Sequence, residues 1–239
     1  MQCLRADADA GRGVVLVDPK GDLVTDILSR MPRTAADRVV LFDADSKAPA
    51  PCLNPLDGGQ TALTVDNVVS VFRRVYSAFW GPRTDDVMRA ACLTLRAQHG
   101  VVTLAAIPTL LTDPAYRQRV TAAVTDPVLS GFWDWYGELT DASRSQVISP
   151  LMNKLRGFLL RPFVRDALTA GPSTVDMNQI LDSGICLVRI PRAPSARRPP
   201  ASSDPSPSPP PGRRRHARPA PRRPERQPRT GSRSPARRQ

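Results

Sequence analysis

Lysine is nearly missing from this 239-residue chain, which has only Lys20, Lys47 and Lys154 among its 34 basic residues. They follow Pro19, Ser46 and Asn153, so no lysine sits between a glycine and a Ser or Thr. A phosphate-cradling loop needs that order, because loop amides wrap the phosphates, the lysine reaches their outer oxygens and the hydroxyl holds magnesium. The sequence contains no such loop. Cysteine is sparse too: Cys3, Cys52, Cys92 and Cys186 form no CxxC pair, and neither His99 nor His216 stands at ligand spacing to them. That excludes the common zinc motifs and predicts reduced, partly buried thiols, as in a cytoplasmic protein. No apolar run approaches about 18 residues, and the first residues lack the apolar core of a signal peptide, so the chain reads as soluble or peripheral.

Large apolar residues vanish altogether from 193–239, where there is no Val, Ile, Leu, Met, Phe, Tyr, Trp or Cys. Such a stretch cannot bury enough surface to offset the entropy of ordering and is expected to be disordered. It also holds thirteen Arg against Asp204 and Glu225, a net +11 of the chain's +12, which leaves +1 for residues 1–192. A basic tail of this kind binds polyanions by counterion release without reading sequence. The favoured alternative is out-of-frame translation of a GC-rich gene, which yields the same Arg, Pro, Ala, Ser and Gly mixture.

Residues 1–10 read as the last turns of a helix stopped by Gly11 and Gly13. Val14-Val15-Leu16-Val17-Asp18 predicts a strand covered on both faces, as in a parallel α/β sheet. A helix over 22–31 follows, with Leu23, Ile27, Leu28 and Met31 on one face and Pro32 as its stop. Val39-Val40-Leu41-Phe42-Asp43 is a second apolar strand, so strand, helix and strand predict one right-handed crossover. Asn54-Pro55-Leu56-Asp57 opens a turn.

The pattern from 64 to 183 is helical. A helix over 66–80 carries Val68, Val69, Phe72, Val75, Tyr76 and Phe79, and one over 83–98 carries Val87, Met88, Ala91, Cys92 and Leu95. Shorter helices are expected over 103–111, capped by Thr103, and 115–124, with Asp113 and Pro114 as cap and first-turn residue. An aromatic cluster of Phe132, Trp133, Trp135 and Tyr136 lies on 129–139, more fitting for a helical core than for base stacking. Over 143–160 an apolar stripe meets Pro150, which either kinks the helix or, with Ser149 as cap, starts another. Residues 185–190 return as a strand.

Asp18-Pro19-Lys20-Gly21-Asp22-Leu23 resembles the DPKG(D/E)(L/M) signature of the conjugative coupling-protein ATPases, TraG/TraD-like proteins of type IV secretion within the FtsK/HerA group of P-loop motors. Trp80-Gly81-Pro82-Arg83, Asn153-Lys154-Leu155-Arg156, Pro162-Phe163 and Ser173-Thr174-Val175-Asp176-Met177 are similar to further landmarks of that family, in the same order, over residues 1 to about 192. The resemblance implies an α/β fold: a partial RecA-like P-loop sheet over 1–62, an inserted all-α domain over 63–183, a strand returning over 184–192, and the tail over 193–239. It also implies ATP and Mg2+ as cofactors of the intact protein. The partners implied are single-stranded DNA or a relaxase–DNA complex and a secretion channel. The intact protein would form a homo-oligomeric ring, hexameric in the family, at the inner face of the cytoplasmic membrane.

In that family the phosphate loop lies just before the DPKGD turn, so residues 1–10 look like the end of its helix, and the paired magnesium-holding acids lie beyond Ile190. The expectation is a fragment that does not hydrolyse ATP alone and exposes an apolar sheet face, with poor solubility. Asp18, Lys20 and Gly21 are the residues the resemblance sets beside a nucleotide, since ligands bind at the carboxyl edge of parallel strands. The competing structural reading has Asp18 accepting turn amides, Gly21 supplying a positive φ and Asp22 capping the next helix. Asp18 and Asp43 each end an apolar strand, so a magnesium role for Asp18 is a rival. Arg83 and Lys154 are candidates for contact with DNA or a neighbouring subunit, against a plain solvated helix face. No residue is assigned to catalysis or to a metal. A non-enzymatic basic DNA-binding or scaffold protein acting through its tail is the alternative function.

Overall fold

The computed structural model describes residues 10–190, all within the first of two units, 1–195 and 196–239. Of the helix end expected over 1–10 only Ala10 is described, as part of a turn, and Cys3 and the tail lie outside the described residues.

The elements run β1 (Val14–Asp18), α1 (Asp22–Arg30), a 3-10 turn (Arg33–Arg38), β2 (Val39–Asp43), α2 (Thr61–Val75), a 3-10 turn (Ser77–Phe79) and α3 (Pro82–Arg96). Then follow α4 (Ala106–Thr112), α5 (Pro114–Thr121), α6 (Pro127–Glu138), α7 (Asp141–Leu159), α8 (Pro162–Thr169), α9 (Met177–Ser183) and β3 (Ile185–Arg189). The fold is mixed α/β, mostly helical, around a small parallel sheet. Its strand order is β1-β3-β2, so β1 and β2 are parallel but not neighbours. The last strand lies between them, with Val14, Ile185 and Val39 on one rung and Asp18, Arg189 and Asp43 on another.

Alternation of side chains gives the sheet two faces. One carries Leu16, Ile185, Leu187, Val39 and Leu41 and is covered by Val24 and Ile27 of α1 and by Met31 just after it. The expected stripe of α1 is therefore turned by one position: Val24 is buried, while Leu23 and Leu28 are partly exposed. The other face carries Cys186, Val188, Val40 and Phe42 beneath Phe163, Ala167, Val175 and Ile180. Val15 and Val17 share that second face but stand exposed, which corrects the expectation that β1 is covered on both sides.

The helices from α2 to α7 build a separate core, in which Val87, Met88, Ala91, Cys92 and Leu95 of α3 are buried as their spacing predicts. Each such side chain contributes about 1.5–3 kcal/mol on leaving water. Residues 162–183 behave differently, because α8 and α9 pack on the sheet. Val75 lies on the open side of α2, and Phe79 falls beyond the helix, which stops at Tyr76, so both are exposed instead of extending its apolar stripe. Thr103 does not cap α4, which starts at Ala106 with no side-chain cap. Asp113 does cap α5, accepting from the amides of Ala115 and Tyr116, and Pro114 fills its first turn. Pro150 lies inside a continuous α7, and Ser149 bonds back to the Ser145 carbonyl, so no new helix starts there.

The two cores are stitched together through residues 52–57. Asn54 is buried, and its amide nitrogen donates to the carbonyls of Val102 (2.8 Å) and Gly171 (3.0 Å) while its side-chain oxygen accepts from the Leu56 amide. Asp57 receives the Ser173 amide at 2.7 Å, and that bond, with help from Ser173 Oγ, Gly58 and Arg96, holds its carboxyl below the ordinary value. The turn expected at Asn54 and Pro55 is thus a brace between the sheet layer and the helical lobe.

Candidate site at the carboxyl edge of the sheet

All three strands point their carboxyl ends the same way, and the rung there is Asp18, Arg189 and Asp43. Apolar strands feed three charged residues into one edge, with the start of α1 beside them. Asp18 is buried at 6 % exposure. Its Oδ1 accepts the Lys20 amide (2.9 Å) and its Oδ2 the amides of Leu23 (2.8 Å) and Val24 (3.1 Å). Burial pushes this carboxyl up, yet the backbone N–H groups of Lys20, Val24, Gly21 and Leu23 outweigh it and hold it below its ordinary 3.8. Asp18 is therefore an anion bound by the first turn of α1. A free helix start is a ready site for phosphate, but here the chain's own carboxylate fills it.

Gly21 stands at the cap position of α1 with φ +82°, a left-handed conformation that glycine adopts without steric cost. A methyl group there would also come within 2.9 Å of the Arg189 stem. The capping role expected of Asp22 belongs to Asp18, because Asp22 is already the first helical residue. Lys20 is exposed, and its ammonium makes no ion pair among the described residues.

Arg189 is the residue that sequence reasoning did not assign. Its Nε donates to Asp43 Oδ1 at 2.8 Å, its Nη2 pairs with Asp43 Oδ2, and its Nη1 donates to Thr25 Oγ1 at 3.3 Å. Hydrogen bonding to Arg189 lowers the Asp43 carboxyl, against the opposing pull of burial, and the same bond raises Arg189. The available signal was an arginine ending an otherwise apolar strand.

The remaining candidates lie in the helical lobe. Arg83 is exposed on the first turn of α3, with no hydrogen bond or ion pair among the described residues. Lys154 of α7 is only 9 % exposed, and its ammonium donates to the Pro150 carbonyl at 3.1 Å. The structure does not join either of them to the Asp18–Gly21 turn. Trp133 and Tyr136 are buried, their polar atoms donating to Thr94 Oγ1 and the Leu111 carbonyl, while Trp135 is partly exposed. A cleft of about 560 Å3 opens between α3 and α6, lined by Leu93, Leu129 and Phe132 with Arg89 and Arg96 at its rim. Arg89 is paired with Asp66 and Asp85, and Arg96 holds the carbonyls of Leu56, Gly58 and Gly59.

Cys52, Cys92 and Cys186 are free and buried, and burial pushes the Cys92 thiol up to about 12. Among the described residues no group of His, Cys, Asp or Glu is placed to hold a metal ion, and no helix is long and apolar enough to cross a membrane. Comparison with family models, curated proteins and solved structures finds no match to this chain.

Proposed function

We propose that this chain is part of an ATP-driven DNA-translocating coupling protein of conjugation or type IV secretion, the front strands of a RecA-like motor with its inserted helical domain. One observation carries the reading. The DPKGDL turn lies at the carboxyl edge of a parallel sheet, and the chain leaves that sheet for a helical lobe before re-entering it as the middle strand. Ligand sites of open α/β sheets form at that edge, and an inserted helical domain is what the resemblance implies.

The residues present do not by themselves fit a nucleotide. Asp18 occupies the first amides of α1, Arg189 is engaged with Asp43 and Thr25, and the sequence has no glycine-rich loop with a following lysine. On this reading the chain alone turns over no ATP, because phosphoryl transfer depends on positioning of the phosphates. In the intact protein single-stranded DNA, or DNA joined to a relaxase, would be the moved substrate, within a homo-oligomeric ring.

The decisive observation is the DNA flanking the coding region. An upstream in-frame Gly-Lys-Ser/Thr loop and a downstream apolar strand ending in paired acids, in another frame, are expected. Absence of both from every frame would sink the proposal. The tail-driven alternative is tested by deleting 193–239, which leaves +1 of the +12 charge. Retention of most DNA affinity excludes it, and complete loss together with an empty upstream frame favours it.

A further inference from the structure

The cleft of about 560 Å3 between α3 and α6 is of the size that holds small organic molecules, roughly 300–1,000 Å3. Leu93, Leu129 and Phe132 rest on the helical core with their inner sides and line the cleft with what remains open. Val128 beside them is 82 % exposed. Covering such a floor removes apolar surface from water, which favours an occupant with an apolar body. Four charged residues complete the lining, Asp86, Arg89, Arg96 and Asp126. The two signs are equal in number but not in availability.

Both arginines are engaged within the chain. Arg89 pairs with Asp66 and stands 3.8 Å from Asp85. Arg96 donates to the carbonyls of Leu56 at 2.9 Å and of Gly58 and Gly59 at 3.1 Å, and its Nε is buried without a partner, closed to solvent. The carboxylates are open instead. Asp86 is exposed and makes no hydrogen bond or ion pair among the described residues. It shares a face of α3 with Leu93, two turns further on. Asp126 caps α6 through Oδ1, which accepts the Leu129 amide at 2.9 Å, while its Oδ2 accepts nothing among the described residues. That bond fixes the carboxylate over the first turn of α6, beside the apolar floor.

We propose that this cleft binds a small organic cation, a primary ammonium carried on an aromatic body. The body covers Leu93, Val128, Leu129 and Phe132, and the ammonium meets Asp126, with Asp86 adding its attraction from the α3 side. An anion with the same body finds two open carboxylates and two arginines already engaged, so it is repelled. Charge complementarity thus selects the sign of the ligand, while the floor supplies affinity without choosing among similar bodies. The site shares no residue with the Asp18–Arg189 edge, so it stands independently of the motor reading.

Amide-detected NMR titration of the full chain with phenethylamine, 2-phenylethanol and 3-phenylpropionate tests it. Phenethylamine is expected to shift the signals of Leu93, Val128, Leu129 and Phe132, binding about threefold to tenfold more tightly than the neutral alcohol, with the propionate weakest. Asp86→Asn combined with Asp126→Asn should erase the advantage of the amine over the alcohol, and asparagine still caps α6. Asp134→Asn, on α6 but outside the cleft, should leave that advantage unchanged. Absence of shifts at the cleft, equal binding of the three probes, or an advantage that survives the double variant overturns the proposal. Should the double variant unfold, added salt on the unaltered chain decides: screening must shrink the advantage of the amine, and a constant ratio overturns it.

Discussion

Asp43 and Arg189 lie 146 residues apart in the chain and meet only in the folded sheet, so their pairing is a direct reporter of folding. Because Arg189 depresses the Asp43 carboxyl, the stabilisation is complete above the ordinary 3.8 and is lost as pH falls through the lowered folded value. Carboxyl NMR titration should find Asp43 below 3.8 in the unaltered chain and shifted upward in Arg189→Met, whose melting temperature is lower at neutral pH and loses the part of its acid dependence that Asp43 supplies. An Asp43 titration indifferent to Arg189 would contradict the pairing. At Asn54 the issue is satisfaction of buried polar groups, not charge. Replacing it with alanine strips hydrogen bonds from the Val102 and Gly171 carbonyls and the Leu56 amide, a loss of about 1–3 kcal/mol. Urea denaturation measures it, and Asn54→Asp should fare no better, since a carboxylate cannot donate to either carbonyl.

Among the elements, the packing of α9 against the start of β1 leaves no room for a side chain at Gly13. A Cβ there would lie 2.1 Å from the Leu181 carbonyl oxygen and 2.4 Å from that of Ile180. Gly13→Ala should therefore destabilise by about 1–3 kcal/mol or more, with the loss visible as faster exchange at Ile185 and Cys186. An unchanged melting curve would mean that α9 does not sit against this strand.

The helical elements were the most legible part of the sequence. The buried positions of α3 follow directly from 3.6-residue spacing, and the Asp113-Pro114 start of α5 follows from capping chemistry. Where two apolar stripes compete, spacing alone does not choose. α1 offers Leu23 and Leu28 as well as Val24 and Ile27, and contact with the sheet selects the second pair. The strands were visible as apolar runs, but their order was not. That β3 enters between β1 and β2, leaving β1 at an edge, is a long-range property no local pattern encodes. Arg189 emerged only from register and packing, because its partners Asp43 and Thr25 belong to β2 and α1.

Among the described residues the helical core and the two apolar layers of the sheet are joined through the brace at 52–57, and they should respond differently to damage. Leu151→Ala in the helical core is expected to cost about 2–5 kcal/mol. It should accelerate exchange in α3 and α7 more than in β1, as read by mass spectrometry of exchanged peptides. Uniform acceleration throughout residues 10–190 would show instead that the lobes unfold as a single unit.

The middle position of the final strand also dictates a timetable. During synthesis β1 and β2 leave the ribosome early, yet among the described residues neither has a pairing partner until 185–189 follow, after the whole helical lobe has emerged. The lobe, whose contacts are mostly local, has time to fold while the sheet waits as two unpaired ribbons. Sheet closure then becomes the slow, late event, because distant segments must meet before any contact rewards them. A nascent chain stalled short of residue 185 should therefore already resist proteases over 61–159 and remain cleavable at both early strands.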